Sequence, residues 1–178
     1  DIVDNSYKTD IWLLDLETAE TRQFTDAEAS SSGPAWSPDG KWIYFNRSGQ
    51  IWRKPLAEGG AEPVTDFVAG SSSPVLHPDG KHLLFKADVY AGCETVDCLE
   101  ERFEQAENRR SSGRVIDNLL YRHWNSWREG KHSHVFLART DGEIVRDVTP
   151  GPYDGPPLSL GSGHDYTFSP DGEEICFV

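Results

Sequence analysis

The chain has 178 residues, enough for one ordinary domain, and its 37% apolar and 26% charged content excludes a collagen-like or disordered tract. With 17 basic and 30 acidic side chains its formal charge is −13, which repels phosphate backbones and argues against a nucleic-acid partner. No stretch approaches the ~18 apolar residues of a membrane span, and 6 Trp, 6 Tyr and 8 Phe without a Met favour a stiff β protein over a helical bundle.

Along the chain, short apolar pairs alternate with turn signals. Ile11-Trp12 opens a first strand pair that ends at Phe24-Thr25. Ser37-Pro38-Asp39-Gly40 follows, then the apolar run Trp42-Ile43-Tyr44-Phe45. Pro presets φ near −65° and Asp-Gly supplies positive-φ positions, so the tetrapeptide predicts a hairpin turn. Ile51-Trp52 and Val64-Thr65 repeat the first pattern. His77-Pro78-Asp79-Gly80 with Leu83-Leu84-Phe85 repeats the second, 40 residues on. Val135-Phe136, Val148-Thr149 and then Ser169-Pro170-Asp171-Gly172 with Ile175-Cys176-Phe177 complete a third pass, 92 residues later. The excess over 40 divides into 44 extra residues after Phe85 and 8 after Thr149.

Units of ~40 residues with four short strands are β-propeller blades. The sequence therefore predicts an all-β fold, a partial propeller over 1–178. Calling the strands of a blade a to d from the centre outward, it reads c-d over 10–25, a to d over 34–65, a-b and c-d over 74–149, and a-b over 166–178. That is about two full and two half four-stranded blades, with a helix-containing insert at 86–134 inside the second complete one. A β-sandwich would not hold a fixed 40-residue register. Because strands in a blade alternate in direction, the three Pro-Asp-Gly turns fall on one face and both lengthened connections on the other. The half blades leave unpaired edges, so exchange of strand pairs between two copies would give a homodimer.

Within the insert, Val96, Leu99, Phe103 and Ala106 share one helical face while Glu100, Glu101, Glu104 and Glu107 crowd the others, and Gly113 closes the segment. Residues 100–134 are nearly neutral, against an acidic remainder. Trp124 and Trp127, three apart, would meet on a helical turn with Arg122 over an indole face. His132 and His134 share one face of a strand, but no third ligand follows at a metal-binding interval, so neither metal nor cofactor is predicted. Cys93 and Cys98, with four residues between them, either close a short disulfide or leave Cys98 a free thiol activated near a helix start; Cys176 reads as a small core side chain. Gly161-Ser162-Gly163 lacks the spacing of a nucleophile elbow, so no catalytic residue is assigned. The chain opens on Asp1-Ile2-Val3 and stops within an apolar strand at Val178, which reads as a piece of a longer protein.

The turn-plus-aromatic-strand repeats resemble the propellers of the prolyl oligopeptidase family of serine peptidases, and those of the Tol system. Asp88-Val89-Tyr90, Cys93, Cys98, Tyr121-Arg122-His123-Trp124-Asn125-Ser126-Trp127 and Lys131-His132-Ser133-His134-Val135-Phe136 resemble the dipeptidyl aminopeptidase and acylaminoacyl-peptidase branch. That resemblance implies an amino-terminal propeller that gates and orients short peptides for a separate hydrolase domain bearing a Ser-Asp-His triad, which these residues do not contain. It implies substrate-binding candidates in Glu100 and Glu101, as the acidic pair that holds a peptide's free amine, with Arg122, Trp124 and Tyr153 on the same face. It also implies a Cys93–Cys98 disulfide and a periplasmic or secreted location, with a cytoplasmic one as the alternative. The Tol likeness implies instead a protein-binding propeller without enzymatic activity.

Overall fold

The structure, a computed structural model, describes residues 7–116, 119, 121–157 and 165–178. A half blade comes first, β1 (Trp12–Leu14) against β2 (Thr21–Gln23). The first full blade is the antiparallel sheet β3 (Ser31–Trp36), β4 (Trp42–Arg47), β5 (Gln50–Pro55) and β6 (Glu62–Pro63). The second full blade orders β7 (Ser72–Leu76), β8 (His82–Tyr90), β11 (Lys131–Arg139) and β12 (Ile144–Asp147) side by side. Between β8 and β11 lie helix α1 (Val96–Glu107) and the small hairpin β9 (Arg122–His123) with β10 (Ser126–Trp127). A second half blade, β13 (Tyr166–Phe168) with β14 (Ile175–Phe177), ends the described chain. The all-β partial propeller that the repeat predicts is the fold observed.

Each Pro-Asp-Gly turn is held by the side chains that spell it. Ser37 Oγ donates to Asp39 Oδ1 at 2.6 Å, and the same carboxylate oxygen accepts from the Lys41 backbone at 3.0 Å. Ser169 and Asp171 repeat this at 2.5 Å, with the Glu173 backbone in place of Lys41. Gly40, Gly80 and Gly172 sit at φ of +68°, +69° and +79°, where a Cβ would be strained.

The apolar-Thr pairs have an equally local cause. Ile11 just before β1, Ile51 in β5 and Val135 in β11 occupy equivalent places along the third strand of a blade, and their carbonyls accept backbone bonds from Phe24, Val64 and Val148, each at 2.8 Å. On the same side of the strand their N–H groups need a partner one rung further, where the fourth strand has ended. Thr25, Thr65 and Thr149 supply it: their Oγ1 atoms accept from Ile11, Ile51 and Val135 at 2.9, 2.9 and 3.0 Å. All three threonines are buried.

The core lies between blades. Ile43 and Phe45 of β4 pack back on Ile11 and Phe24, while Tyr44 packs forward with Ile51, Val64 and Phe67 against Leu83, Phe85 and Phe136. Leu84 and Val135 turn the other way, onto Tyr166 of the second half blade. Second strands are thus buried on both faces, which is why they read as unbroken apolar runs rather than as alternation. Tyr166 Oη locks the last seam by donating to the Ser73 carbonyl at 2.6 Å.

Three sequence expectations need correction. The β8–β11 ladder does not stop at Phe85 but continues to Lys131↔Tyr90, because Ala87, Val89 and Tyr90 keep a buried face, so 91–130 is the part outside the sheet. Trp124 and Trp127 are not on a helical turn: Trp124 sits at φ +50° at the tip of the β9–β10 hairpin, with Asn125 beside it. Cys176 is an exposed free thiol, since on β14 it pairs only with Thr167 of β13 and nothing described packs over it. The Gly161-Ser162-Gly163 segment lies outside the described residues.

Candidate functional site

The Pro-Asp-Gly turns gather on one face: His77 Nε2 meets the Gly172 carbonyl at 2.9 Å, and Pro38, Asp39, Pro78 and Asp79 border one shallow hollow. The opposite face carries the connections from second to third strands and from fourth strands to the next blade, and there the two lengthened ones meet, Arg128 of one pairing with Asp154 of the other.

Helix α1 is tied down at its start. Thr95 caps it, its Oγ1 accepting from the Cys98 N–H at 3.2 Å. Cys98 is disulfide-bonded to Cys93, with Cα atoms 5.3 Å apart. Leu99 is buried against the inter-blade core, and Phe103 meets the Tyr90 ring edge-on at 5.2 Å. Of the predicted helical face, Leu99 and Phe103 carry the packing, while Val96 and Ala106 remain exposed.

Cations lie on the aromatic surfaces that this arrangement exposes. Arg102 stands 5.3 Å from the Tyr90 ring and Lys131 5.4 Å from that of Phe103. Arg114 covers Trp127 at 4.5 Å, with Tyr121 stacked on the same indole at 6.0 Å. Arg114 also pairs with Glu129 at 3.3 Å. Two clefts result. The first, of about 370 Å³, lies between Tyr90, Arg102, Arg109, Arg114 and Glu129. The second, of about 520 Å³, runs from Arg109 and Trp127 past Arg128 and His132 to Pro152 and Asp154. Tyr90 is pushed above the ordinary phenol range, first by burial and then by Glu129, against Arg102 and Arg109.

The 150–157 connection closes the second cleft. Asp154 forms an ion pair with Arg128 and accepts from the Ser133 backbone at 2.8 Å, and Arg128 also donates to the Lys131 carbonyl at 2.7 Å. Gly155 N donates to Ser133 O at 2.8 Å, and Thr149 Oγ1 donates to Gly155 O at 3.1 Å. His134 is buried beneath, its ring between Asp147 Oδ2 at 2.6 Å and the Gly151 carbonyl at 2.9 Å. Burial opposes its protonation, but the Asp147 bond and charge, the Gly151 carbonyl and the Asp154 charge outweigh it and raise its pKa.

The structure distributes the five sequence candidates unequally. Arg122 and Trp124 share the hairpin, where Arg122 Nε donates to the Trp124 carbonyl at 2.7 Å and its guanidinium lies 5.8 Å from the Trp127 ring. Trp124 is 75% exposed. Tyr153 is half-exposed in the connection whose next residue pairs with Arg128, and its hydroxyl donates to the Pro150 carbonyl at 3.0 Å. Glu100 and Glu101 are exposed on α1 and line neither cleft. His132 borders the second cleft, 3.8 Å from Asp154, and the buried His134 pairs with Asp147. Sequence reasoning passed over Arg114, Arg128 and Asp154; the one signal for them was the neutral charge of this stretch in an acidic chain.

Residues 2–75 match the model of the dipeptidyl peptidase IV N-terminal region. A dipeptidyl-peptidase 5 of Porphyromonas gingivalis is 31% identical across the whole chain, which covers 26% of that relative. Among solved structures, an acylaminoacyl peptidase bound to a peptide chloromethyl ketone superposes with a TM-score of 0.64 at 19% identity, covering 98% of this chain and 24% of that one. TolB from Acinetobacter baumannii superposes at 0.51 with 18% identity, covering 93% and 31%. These two likenesses speak to the fold. The chain spans about a quarter of the length of the curated dipeptidyl peptidases it matches. With the family model over its first blades, that relative matched along this chain's full length and the propeller architecture in common, the chain is similar to the amino-terminal propeller region of dipeptidyl peptidases.

Proposed function

We propose that this propeller segment is the non-catalytic part of a serine exopeptidase, gating and orienting short peptides for a hydrolase domain elsewhere in the full-length polypeptide. The observation that carries this reading is the convergence of the two lengthened connections on one face, where residues of both line the cleft of about 520 Å³. Rigid scaffolds that present loops together are where binding functions reside. The lining suits a peptide: aromatic faces from Trp127 and Tyr121 for side chains, and guanidinium groups from Arg109 and Arg114 for carbonyl and carboxylate oxygens. Arg122, Trp124 and Tyr153 border the same loops and enter the proposal as outer contacts. Glu100 and Glu101 remain available only to a partner approaching α1 from solvent.

In the full-length polypeptide, Trp127→Ala should raise KM for dipeptidyl or acylaminoacyl substrates with kcat little changed, the pattern of lost uniform binding. The 178-residue chain alone should not hydrolyse them. Unchanged KM in the variant, or turnover by the chain alone, would overturn the proposal. A protein-docking propeller, the alternative that the TolB-like fold allows, is the outcome if Trp127→Ala abolishes capture of a partner protein while peptide kinetics stay intact.

The disulfide fits an exported protein, periplasmic or secreted, and among the described residues no helix is long and apolar enough to cross a membrane. For the chain in isolation, the exposed Trp12 and Leu14 of β1 and Phe177 of β14 support a homodimer in which β1–β2 of one copy completes β13–β14 of another. Light scattering that shows only monomer at high concentration would refute it.

A further inference from the structure

On the face opposite the clefts, the middle Pro-Asp-Gly turn departs from its two sisters. Where they carry Ser37 and Ser169, it carries His77; where they carry Trp42 and Glu174 five residues on, it carries His82. The segment thus reads His77-Pro78-Asp79-Gly80-Lys81-His82, with a carboxylate between two imidazoles. In the fold, His77 Nδ1 lies 2.9 Å from Asp79 Oδ1, and His82 Nδ1 lies 2.8 Å from Asp79 Oδ2. The three ligand atoms all fall within 4.8 Å of one another.

The His77 ring is fixed in the tautomer a metal requires. Its Nε2 meets the Gly172 carbonyl at 2.9 Å, an acceptor only, so Nε2 carries the proton. Its Nδ1 accepts from the Asp79 backbone N–H at 3.0 Å, so Nδ1 carries the lone pair. The ring stands edge-on to Phe168 at 4.6 Å, and a Cβ on Gly172 would come within 2.4 Å of Nε2, so the approach of the next half blade admits only glycine. A metal-bound histidine whose other nitrogen donates to a backbone carbonyl is the usual arrangement around such ions.

That tautomer leaves an electrostatic gap. In the sister turns a hydroxyl proton lies between residue and carboxylate, at 2.6 and 2.5 Å. Here Nδ1, whose lone pair accepts from the Asp79 N–H, also stands 2.9 Å from Asp79 Oδ1 with no proton between the two atoms, so a cation would take over that lone pair from the N–H. We propose that His77, Asp79 and His82 form a binding site for a borderline divalent cation such as Zn²⁺, which fills this gap and clamps the β7–β8 turn to the β13–β14 half blade. Two imidazoles and a carboxylate are the donor set of zinc and its neighbours rather than of calcium or magnesium. The three side chains are partly exposed, so water completes the coordination sphere.

The test is calorimetric titration of the full chain with ZnCl₂, paired with thermal unfolding. Wild type should bind one equivalent saturably, reversed by EDTA, and its midpoint temperature should rise with zinc. His77→Ser restores the residue of the sister turns and His82→Gln alters an accessible position; each should weaken binding tenfold or more and remove the zinc-dependent rise. His123→Gln, on the distant hairpin, should bind as wild type. Absence of saturable binding by wild type, or wild-type affinity in His77→Ser and His82→Gln, would overturn the proposal.

Discussion

Thr149 offers the sharpest test of how the blade repeat is built. Its Oγ1 accepts from Val135 N–H and donates to Gly155 C=O, and both of those groups are buried. Thr149→Val keeps the shape and strands both partners, each at about 1–3 kcal/mol, so the expected loss is about 2–6 kcal/mol. Thr65 occupies the same place in the first full blade, but its surroundings are redundant. Ile51 N–H also meets Ser71 Oγ at 3.1 Å, and Gln50 Oε1 also accepts from Phe67 N and Ser71 Oγ. Thr65→Val should therefore cost only about 1 kcal/mol. Thr149→Ser retains the hydroxyl and should lose about as much as one buried methyl, about 1 kcal/mol. Urea unfolding followed by tryptophan fluorescence orders the three variants, and amide exchange at Val135, whose acceptor is removed, should accelerate in Thr149→Val alone. Equal losses in Thr149→Val and Thr65→Val, or in the Val and Ser variants of Thr149, would refute the rung as the reason for the repeated threonine.

Other expectations rest on single contacts. Leu99→Ala should cost about 2–4 kcal/mol and expose α1 to protease before the blades unfold, because Leu99 is the helix's buried link to the core. Replacing both Cys93 and Cys98 by Ser should cost less than the ~3 kcal/mol of a 15-residue loop, since the bridge closes only a five-residue separation; alkylation without reduction should label Cys176 alone in oxidised wild type. The raised pKa of His134 means its charged form is favoured in the fold, so that contribution is complete below the unfolded value of about 6.5 and fades as pH rises through the higher folded value. The urea midpoint should fall as pH rises above about 6.5, and Asp147→Asn should flatten that slope; an unchanged slope would remove the His134–Asp147 pair as its cause.

What the sequence made legible was whatever is repeated or local. The Ser-Pro-Asp-Gly turns close on their own side chains, and the Thr rungs bridge a constant 14 residues, so both leave a fixed spacing in the chain. Second strands such as Leu83-Leu84-Phe85 announced themselves because neighbouring blades bury both faces. The insert was harder, since its order comes from contacts without period. Arg128 and Asp154 are 26 residues apart, and Arg114 reaches Trp127 across a segment with no regular register. Trp124 and Trp127 fit helical spacing as well as a two-residue turn, and only the pairing of Arg122 with Trp127 decides between them. The His77–His82 arrangement was spelled out in the chain, but its meaning appears only beside Gly172, 95 residues from His77.

The way the few cations are placed bears on what the clefts can select. In a chain of charge −13, Lys54 donates to the Phe24 carbonyl and Arg53 to the Thr140 carbonyl, so those two charges stitch blade seams and are not available to a ligand. Arg128 is held by Asp154 and the Lys131 carbonyl. Arg109, by contrast, lines both clefts, and among the described residues its hydrogen bond is to the Ser111 carbonyl two residues on. Arg114 is shared between an indole face and Glu129, which it can leave for a stronger acceptor. The chain's net charge of −13 repels anions, so an oxygen-rich peptide end that reaches this face is met there by Arg109 and Arg114. On the proposed reading the propeller thereby sets the direction in which a peptide enters, carboxylate or carbonyl side toward Arg109 and Arg114. Arg109→Ala should then discriminate more strongly among substrates differing at that end than among those differing at the amino end.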